Sequence, residues 1–220
     1  MELDNNALNI PKGYIVMISG VPGSGKTTIS YNLLKQFSVF RIIEETDLMR
    51  EILLGYNTFL KKTNPSITEV IDNVKITDHN VLLTLNEAKQ QCKIMKCSIE
   101  KIIERQKRKG IPSIINGVHI IPSILNGLCK NEKIIYINLY VNNKESIYNR
   151  IYNRNPNSYM LNNIELIYQS GKDLFVDTAK LEETNNLFLF NNIDVTNLSI
   201  NETINKIIYL MKNNILLNNY

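Results

Sequence analysis

The segment GVPGSGKT, Gly20 to Thr27, constrains this chain more than any other stretch. It fits G-x-x-x-x-G-K-[ST] at every fixed position, a pattern that works only where a strand delivers the loop and a helix carries the chain away. Both flanks satisfy that requirement. YIVMIS, Tyr14 to Ser19, is a β-branched and aromatic run suited to a buried strand, and Thr28 to Phe37 carries apolar residues at helical spacing. Gly20, Gly23 and Gly25 let the backbone turn tightly, so that successive N–H groups face phosphate oxygens while the helix N-terminus adds its partial positive charge. Lys26 can then reach the β- and γ-phosphates, and the Thr27 hydroxyl can bind Mg²⁺. The loop predicts a nucleoside triphosphate site built from Gly20, Gly23, Ser24, Gly25, Lys26, Thr27 and Thr28, with Thr27 as metal ligand.

The rest of the chain repeats the order of strand, then helix. VFRIIEE (Val39 to Glu45) reads as a second strand and Asp47 to Leu54 as a short helix. Residues 55–83 carry Pro65 in a Thr/Asn/Ser cluster and are expected to hold turns and a helix of a substrate lobe or cap. A long helix is expected from Leu85 to Lys109, where the basic KRKG run complements the helix dipole and Gly110 ends it. Ile111 to Pro122 reads as a short buried strand and a turn into a helix near Pro122, and Lys133 to Val141 is the clearest later strand. A helix from Lys144 to about Asn153, the polar loop NRNPNS, and a helix from about Leu161 to Leu181 follow. A strand at Leu187 to Phe190 and a terminal helix from about Ser199 complete the pattern. This alternation predicts an α/β protein of the P-loop NTPase type: a three-layer sandwich with a mainly parallel five-stranded sheet, helices on both faces and a small lid near residues 150–160. No linker or repeat divides residues 1–220, so one domain is expected, with ligands at the carboxyl ends of the strands.

Composition narrows the partners. A net charge of +4 suits a small anionic substrate but falls short of a nucleic-acid footprint, and the 11 tyrosines are scattered through apolar periodic segments instead of lining a basic channel. Cys92, Cys97 and Cys129 are odd in number and lack C-x-x-C pairing, which argues against a disulfide framework or a zinc site and predicts buried thiols in a reducing compartment. The first residues lack an apolar core of signal length and no segment is long and apolar enough to span a bilayer, so a cytoplasmic protein with no membrane partner is expected.

Three groups of residues are candidates for chemistry. Asp47 follows the second strand, where a carboxylate can accept a hydroxyl proton or position Mg²⁺, and Arg50 lies one turn further on, able to grip a substrate anion. The bland alternative is a helix cap and a surface cation. Asn116, Gly117 and His119 follow another strand, at a position where P-loop enzymes usually place an acid. An amide there can orient a water or a hydroxyl but cannot act as a base, and a lone histidine such as His119 is more often structural than catalytic. Arg150 and Arg154 share one helix face beside a polar loop, either as lid cations that meet the transferring phosphoryl group or as part of a solvated basic face.

Taken together, the phosphate loop, TDLMRE (Thr46 to Glu51), IEKIIERQKRKG (Ile99 to Gly110) and IPSIINGVHIIP (Ile111 to Pro122) resemble the archaeal-type 2-phosphoglycerate kinase family of small-molecule P-loop kinases. The similarity continues through YMLNNIELIYQSGKDLF (Tyr159 to Phe175), leaving residues 55–83 unmatched. The resemblance implies transfer of the γ-phosphate of ATP, with Mg²⁺, to a hydroxyl of a small anionic metabolite, 2-phosphoglycerate or a related compound. It also implies Asp47 as base or metal-linked carboxylate, Arg50 and His119 as substrate contacts, and Arg150 and Arg154 as lid cations. Two positions depart from the family: its glutamate before G-V-H is Asn116, and its isoleucine-arginine pair reads Ile164-Glu165. Two other readings stay open, a polynucleotide, tRNA or nucleotide kinase and a non-catalytic ATP-binding regulatory protein.

Overall fold

Parallel strands cannot be joined by tight turns, so the helices between them must cross over a sheet face. The computed structural model, which describes residues 8–73, 84–129, 133–184 and 189–217, shows that arrangement. β1 (Ile15–Ser19), β2 (Ile42–Glu45), β3 (Ser113–Asn116), β4 (Ile134–Tyr140) and β5 (Phe190–Asp194) lie parallel in the order β2-β3-β1-β4-β5. The phosphate loop leaves β1, the middle strand.

Side chains alternate across β1. Val16 and Ile18 pack with Leu33 of α1 (Lys26–Gln36), Ile147 and Ile151 of α6 (Lys144–Arg154), and Ile207 of α8 (Ile200–Leu217). Ile15 and Met17 face the opposite layer, with Met95 and Ile99 of α4 (Leu85–Lys109), Leu125 of α5 (Pro122–Cys129) and Leu174 of α7 (Ile164–Thr184). Two apolar layers around a sheet buried on both faces explain why β4, IIYINLY, is buried at all seven positions. The expected three-layer α/β architecture is the one observed.

Several boundaries move, each for a local reason. The helix expected to stop at Leu54 runs on as α2 (Thr46–Thr63), because Gly55 is helical and does not cap it; the stop comes before Pro65, whose ring disfavours helix at the preceding residue. A 3₁₀ turn at Pro65–Ile67 and α3 (Thr68–Asn73) follow, and the remainder of the expected cap, residues 74–83, lies outside the described residues. The second strand starts at Ile42, since Ser38 and Val39 form a turn. The last strand is FNNID and not LFLF; Leu187 and Phe188 lie outside the described residues. Asparagine is a poor strand former, but here Asn191 donates to the Tyr136 carbonyl (3.2 Å) and Asn192 to the Phe175 carbonyl (3.1 Å), which satisfies both amides. Cys92 is a buried thiol as expected, whereas Cys97 is exposed on α4.

Candidate active site

Where β1 ends, the loop must satisfy α1 without help from side chains. Gly25, the residue before α1, has φ +95, a conformation that favours glycine, and α1 has neither a capping side chain nor an acidic residue in its first turn. A Cβ added at Gly25 would meet nothing within 4 Å, so the space over the helix N-terminus is open. Open space over uncapped amides is a ready anion site. Ser24 adds to it: its hydroxyl is buried and has no hydrogen-bond partner among the described residues.

Lys26 supplies the charge. Its Nζ donates to the Val21 carbonyl at 3.0 Å, curled back over its own loop. Burial of the ammonium pulls its pKa down from 10.5 to about 8; the Asp47 carboxylate acts against that shift and the Arg154 guanidinium adds to it. The residue keeps part of its surface, so the desolvation belongs to the ammonium more than to the stem. A cation held this way gains from an incoming anion.

The loop opens on a cavity of about 630 Å³. Its walls bring together Gly23, Ser24, Gly25, Lys26, Thr27 and Thr28 of the loop, Asp47 at the start of α2, and Asn116 and Gly117 at the end of β3. Arg150 and Arg154 of α6 close another side. Residues that the sequence did not single out line it too: Glu45 at the end of β2, and an apolar shelf of Met160, Val195, Leu198 and Ile200 beside Thr203. The shelf joins two segments far apart in the chain, Met160 and residues 195–203, so no local pattern announced it.

Gly20, Arg50 and His119 do not line this cavity. His119 is fully buried behind Asp47, with Nδ1 3.0 Å from the Thr46 hydroxyl and 3.4 Å from Asp47 Oδ1. The ring shares a hydrogen bond with the Thr46 hydroxyl and stands behind the Asp47 carboxylate, with which it forms an ion pair when protonated. The turn carrying His119 is fixed by Gly117 N–H donating to the Ile18 carbonyl (3.1 Å) and by the Ser19 hydroxyl donating to the Ile120 carbonyl (2.6 Å). Gly117 is needed there, because a Cβ would overlap the Thr46 hydroxyl and come within 2.9 Å of the Thr46 Cβ. Arg50 is 1% exposed and pairs with Glu51, while its Nε and Nη1 are buried without a hydrogen-bond partner. A buried guanidinium left so incomplete is costly unless an anion joins it.

The arginines of α6 differ. Arg150 donates to the carbonyls of Val195 (2.6 Å) and Thr196 (3.3 Å), and burial lowers its pKa against the pull of Asp194. It is committed to the apolar shelf. Arg154 is exposed, its guanidinium 3.9 Å from the Met160 sulfur. Glu165 pairs with Lys144 at 2.8 Å on the surface and takes no part in the cavity wall.

No group of three or more His, Cys, Asp or Glu side chains able to hold a metal occurs among the described residues. Mg²⁺ that arrives with a triphosphate needs none, since it keeps several waters and takes phosphate oxygens with one or two protein oxygens. The Thr27 hydroxyl and the carboxylates of Glu45 and Asp47, all on the cavity wall, fit that demand. No described helix is long and apolar enough to cross a membrane.

No known family model matches the chain. It is similar to archaeal 2-phosphoglycerate kinases: that of Pyrococcus horikoshii is 26% identical over 88% of this chain, and that of Methanothermobacter thermautotrophicus 26% identical over 64%. The chain spans 62% of the length of the first and 47% of the second. Its fold is that of small P-loop kinases. Shikimate kinase from Acinetobacter baumannii superposes with a TM-score of 0.54 at 17% identity, over 91% of this chain and 94% of that one. A gluconokinase from Sinorhizobium meliloti gives 0.56 at 11% identity, over 95% and 99%.

Proposed function

We propose that this chain is an ATP-dependent kinase, using Mg²⁺, that transfers the γ-phosphate to a hydroxyl of a small anionic metabolite, 2-phosphoglycerate or a related compound. The observation that carries the reading is the cavity itself. It has a phosphate cradle with a desolvated lysine on one side and, facing it, a carboxylate backed by a buried histidine. The similarity to archaeal 2-phosphoglycerate kinases supports the choice of acceptor.

Each residue then has a task. The loop amides and Lys26 hold the β- and γ-phosphates, and Thr27 takes part in the Mg²⁺ shell. The apolar shelf of Met160, Val195, Leu198 and Ile200 takes the base, with Arg150 fixing its carbonyl-bearing edge. Bound Mg²⁺ supplies charge neutralisation on the phosphates. Asp47 accepts the acceptor's hydroxyl proton as its oxygen bonds to the γ-phosphorus and the bond to the β–γ bridging oxygen breaks, leaving ADP. Arg154, on the segment 150–160 proposed as a lid, neutralises equatorial oxygens during transfer. Asn116 and Gly117 shape the acceptor end. Arg50, buried off the cavity wall and paired with Glu51, makes no contact with the acceptor in this scheme.

The test is product identification. Incubating the protein with Mg-ATP and a panel of hydroxylated acids and phosphoesters, 2-phosphoglycerate included, should yield a product heavier than one acceptor by a single phosphoryl group in mass spectrometry, absent with Lys26→Ala. Nucleotide binding with no product from any acceptor would favour the non-catalytic reading.

A further inference from the structure

A triphosphate brings several negative charges into a cavity that already carries two carboxylates. Asp47 is backed by His119, but Glu45 has no hydrogen bond or ion pair with any described residue, although it is half-buried on the cavity wall. β2 alternates: Glu44 turns to the α4 side, where Gln106 donates to it at 3.0 Å, while Ile43 packs with the α1 layer and Glu45 shares its side. Glu45 therefore faces the loop that holds the phosphates. Left alone there, its charge opposes nucleotide binding; with a divalent cation between, it assists.

The neighbouring strand explains why the acid stands here. Glu45 and Asn116 are register partners on β2 and β3, so both strand ends reach the cavity side by side. Asn116, 3% exposed, spends its amide as a donor to the Ser30 hydroxyl of α1 at 2.9 Å. We propose that Glu45 is the carboxylate that holds the nucleotide's Mg²⁺ through its water shell, a task displaced by one strand from Asn116. The loop offers a second oxygen of the same kind, the buried and partnerless Ser24 hydroxyl. The proposal rests on the kinase reading only for its donor, Mg-ATP, and not for its acceptor.

Titration calorimetry with a non-hydrolysable imido analogue of ATP, with and without Mg²⁺, tests it. In the wild type Mg²⁺ should strengthen binding. In Glu45→Gln that gain should shrink by roughly tenfold or more, as is usual when an outer-sphere partner of a metal is removed. Metal-free binding should hold or improve, because a repelling charge is gone. Electron paramagnetic resonance of Mn²⁺ in the ternary complex should show the same loss of metal affinity. Adding Asn116→Asp to the Glu45→Gln background should restore the gain by returning the carboxylate to β3, where the Ser30 hydroxyl can turn and donate to it. Glu45→Asp, with thermal melts of every variant, separates metal loss from misfolding: it should keep part of the gain. An undiminished Mg²⁺ gain in folded Glu45→Gln overturns the proposal. A wild-type chain with a Glu45-dependent Mg²⁺ gain but no phosphorylated product would leave it standing and sink the kinase reading.

Discussion

Nucleotide affinity should fall as pH rises through about 8, because it depends on the proton carried by Lys26. In the free protein burial lowers this pKa from 10.5 to about 8, which corresponds to roughly 3 kcal/mol of lost preference for the charged form at about 1.4 kcal/mol per unit. Phosphate oxygens replace the missing water and restore much of that preference, so the pKa is higher in the complex than in the free loop. The sign follows from the linkage. Below the free-state value both forms are protonated and affinity is flat; above it, each binding event takes up a proton, and affinity drops by up to about tenfold per pH unit until the bound-state value is passed. Phosphate groups are already ionised over this range and do not add a slope of their own. Calorimetry in two buffers of different ionisation enthalpy reads affinity and proton uptake together, and the uptake should be about half a proton near pH 8. Lys26→Met should bind weakly and without this slope. Flat wild-type affinity from about pH 7.5 to 9.5, with no proton uptake, would refute the argument.

Asp47→Asn should cut turnover by roughly 10² to 10⁴ while leaving ATP affinity within a few-fold, since it removes proton transfer and not the phosphate cradle; full activity would exclude Asp47 as the base. His119→Ala should lower kcat more than it raises the ATP KM, and His119→Asn, whose amide can donate where Nδ1–H does, should recover part of the rate; equal losses in both variants would reduce His119 to packing. Gly117→Ala should lower the melting temperature through its overlap with Thr46, at a cost of about 2 kcal/mol or more, and Thr46→Ala in the same chain should relieve part of it. Additive losses would contradict that contact. Glu165→Gln should leave acceptor KM and the melting temperature nearly unchanged, as expected of an exposed pair with Lys144.

What the sequence disclosed was chiefly local. The phosphate loop works through its own backbone, so Gly20 to Thr27 could be read without the rest of the molecule, and the carboxyl ends of the first four strands could be placed by following apolar runs. Asp47, Asn116 and Arg154, which line the cavity, could be singled out because ligands sit at the carboxyl ends of the strands in such sheets. What stayed hidden was set by distant contacts. His119 was expected to touch substrate, but only the folded turn shows it buried behind Asp47 and bonded to Thr46. Glu45 looked like one of two ordinary strand residues until the pleat separated it from Glu44. The shelf at Val195 to Ile200 depends on β5, a strand whose asparagines are stabilised by hydrogen bonds that no propensity reveals. Glu165 stands where the resembled family has an arginine, and three-dimensional placement puts it on the surface, paired with Lys144.

On the kinase reading, one cavity joins a phosphate donor to a hydroxyl acceptor. Steady-state ADP release, measured with Mg-ATP in the presence and absence of 2-phosphoglycerate and related hydroxylated anions, tests it most directly. A slow basal rate is expected, raised by an acceptor, with the acceptor-dependent part cut by roughly 10² to 10⁴ in Asp47→Asn; ADP release that no acceptor alters, from a protein that binds Mg-ATP normally, would contradict it.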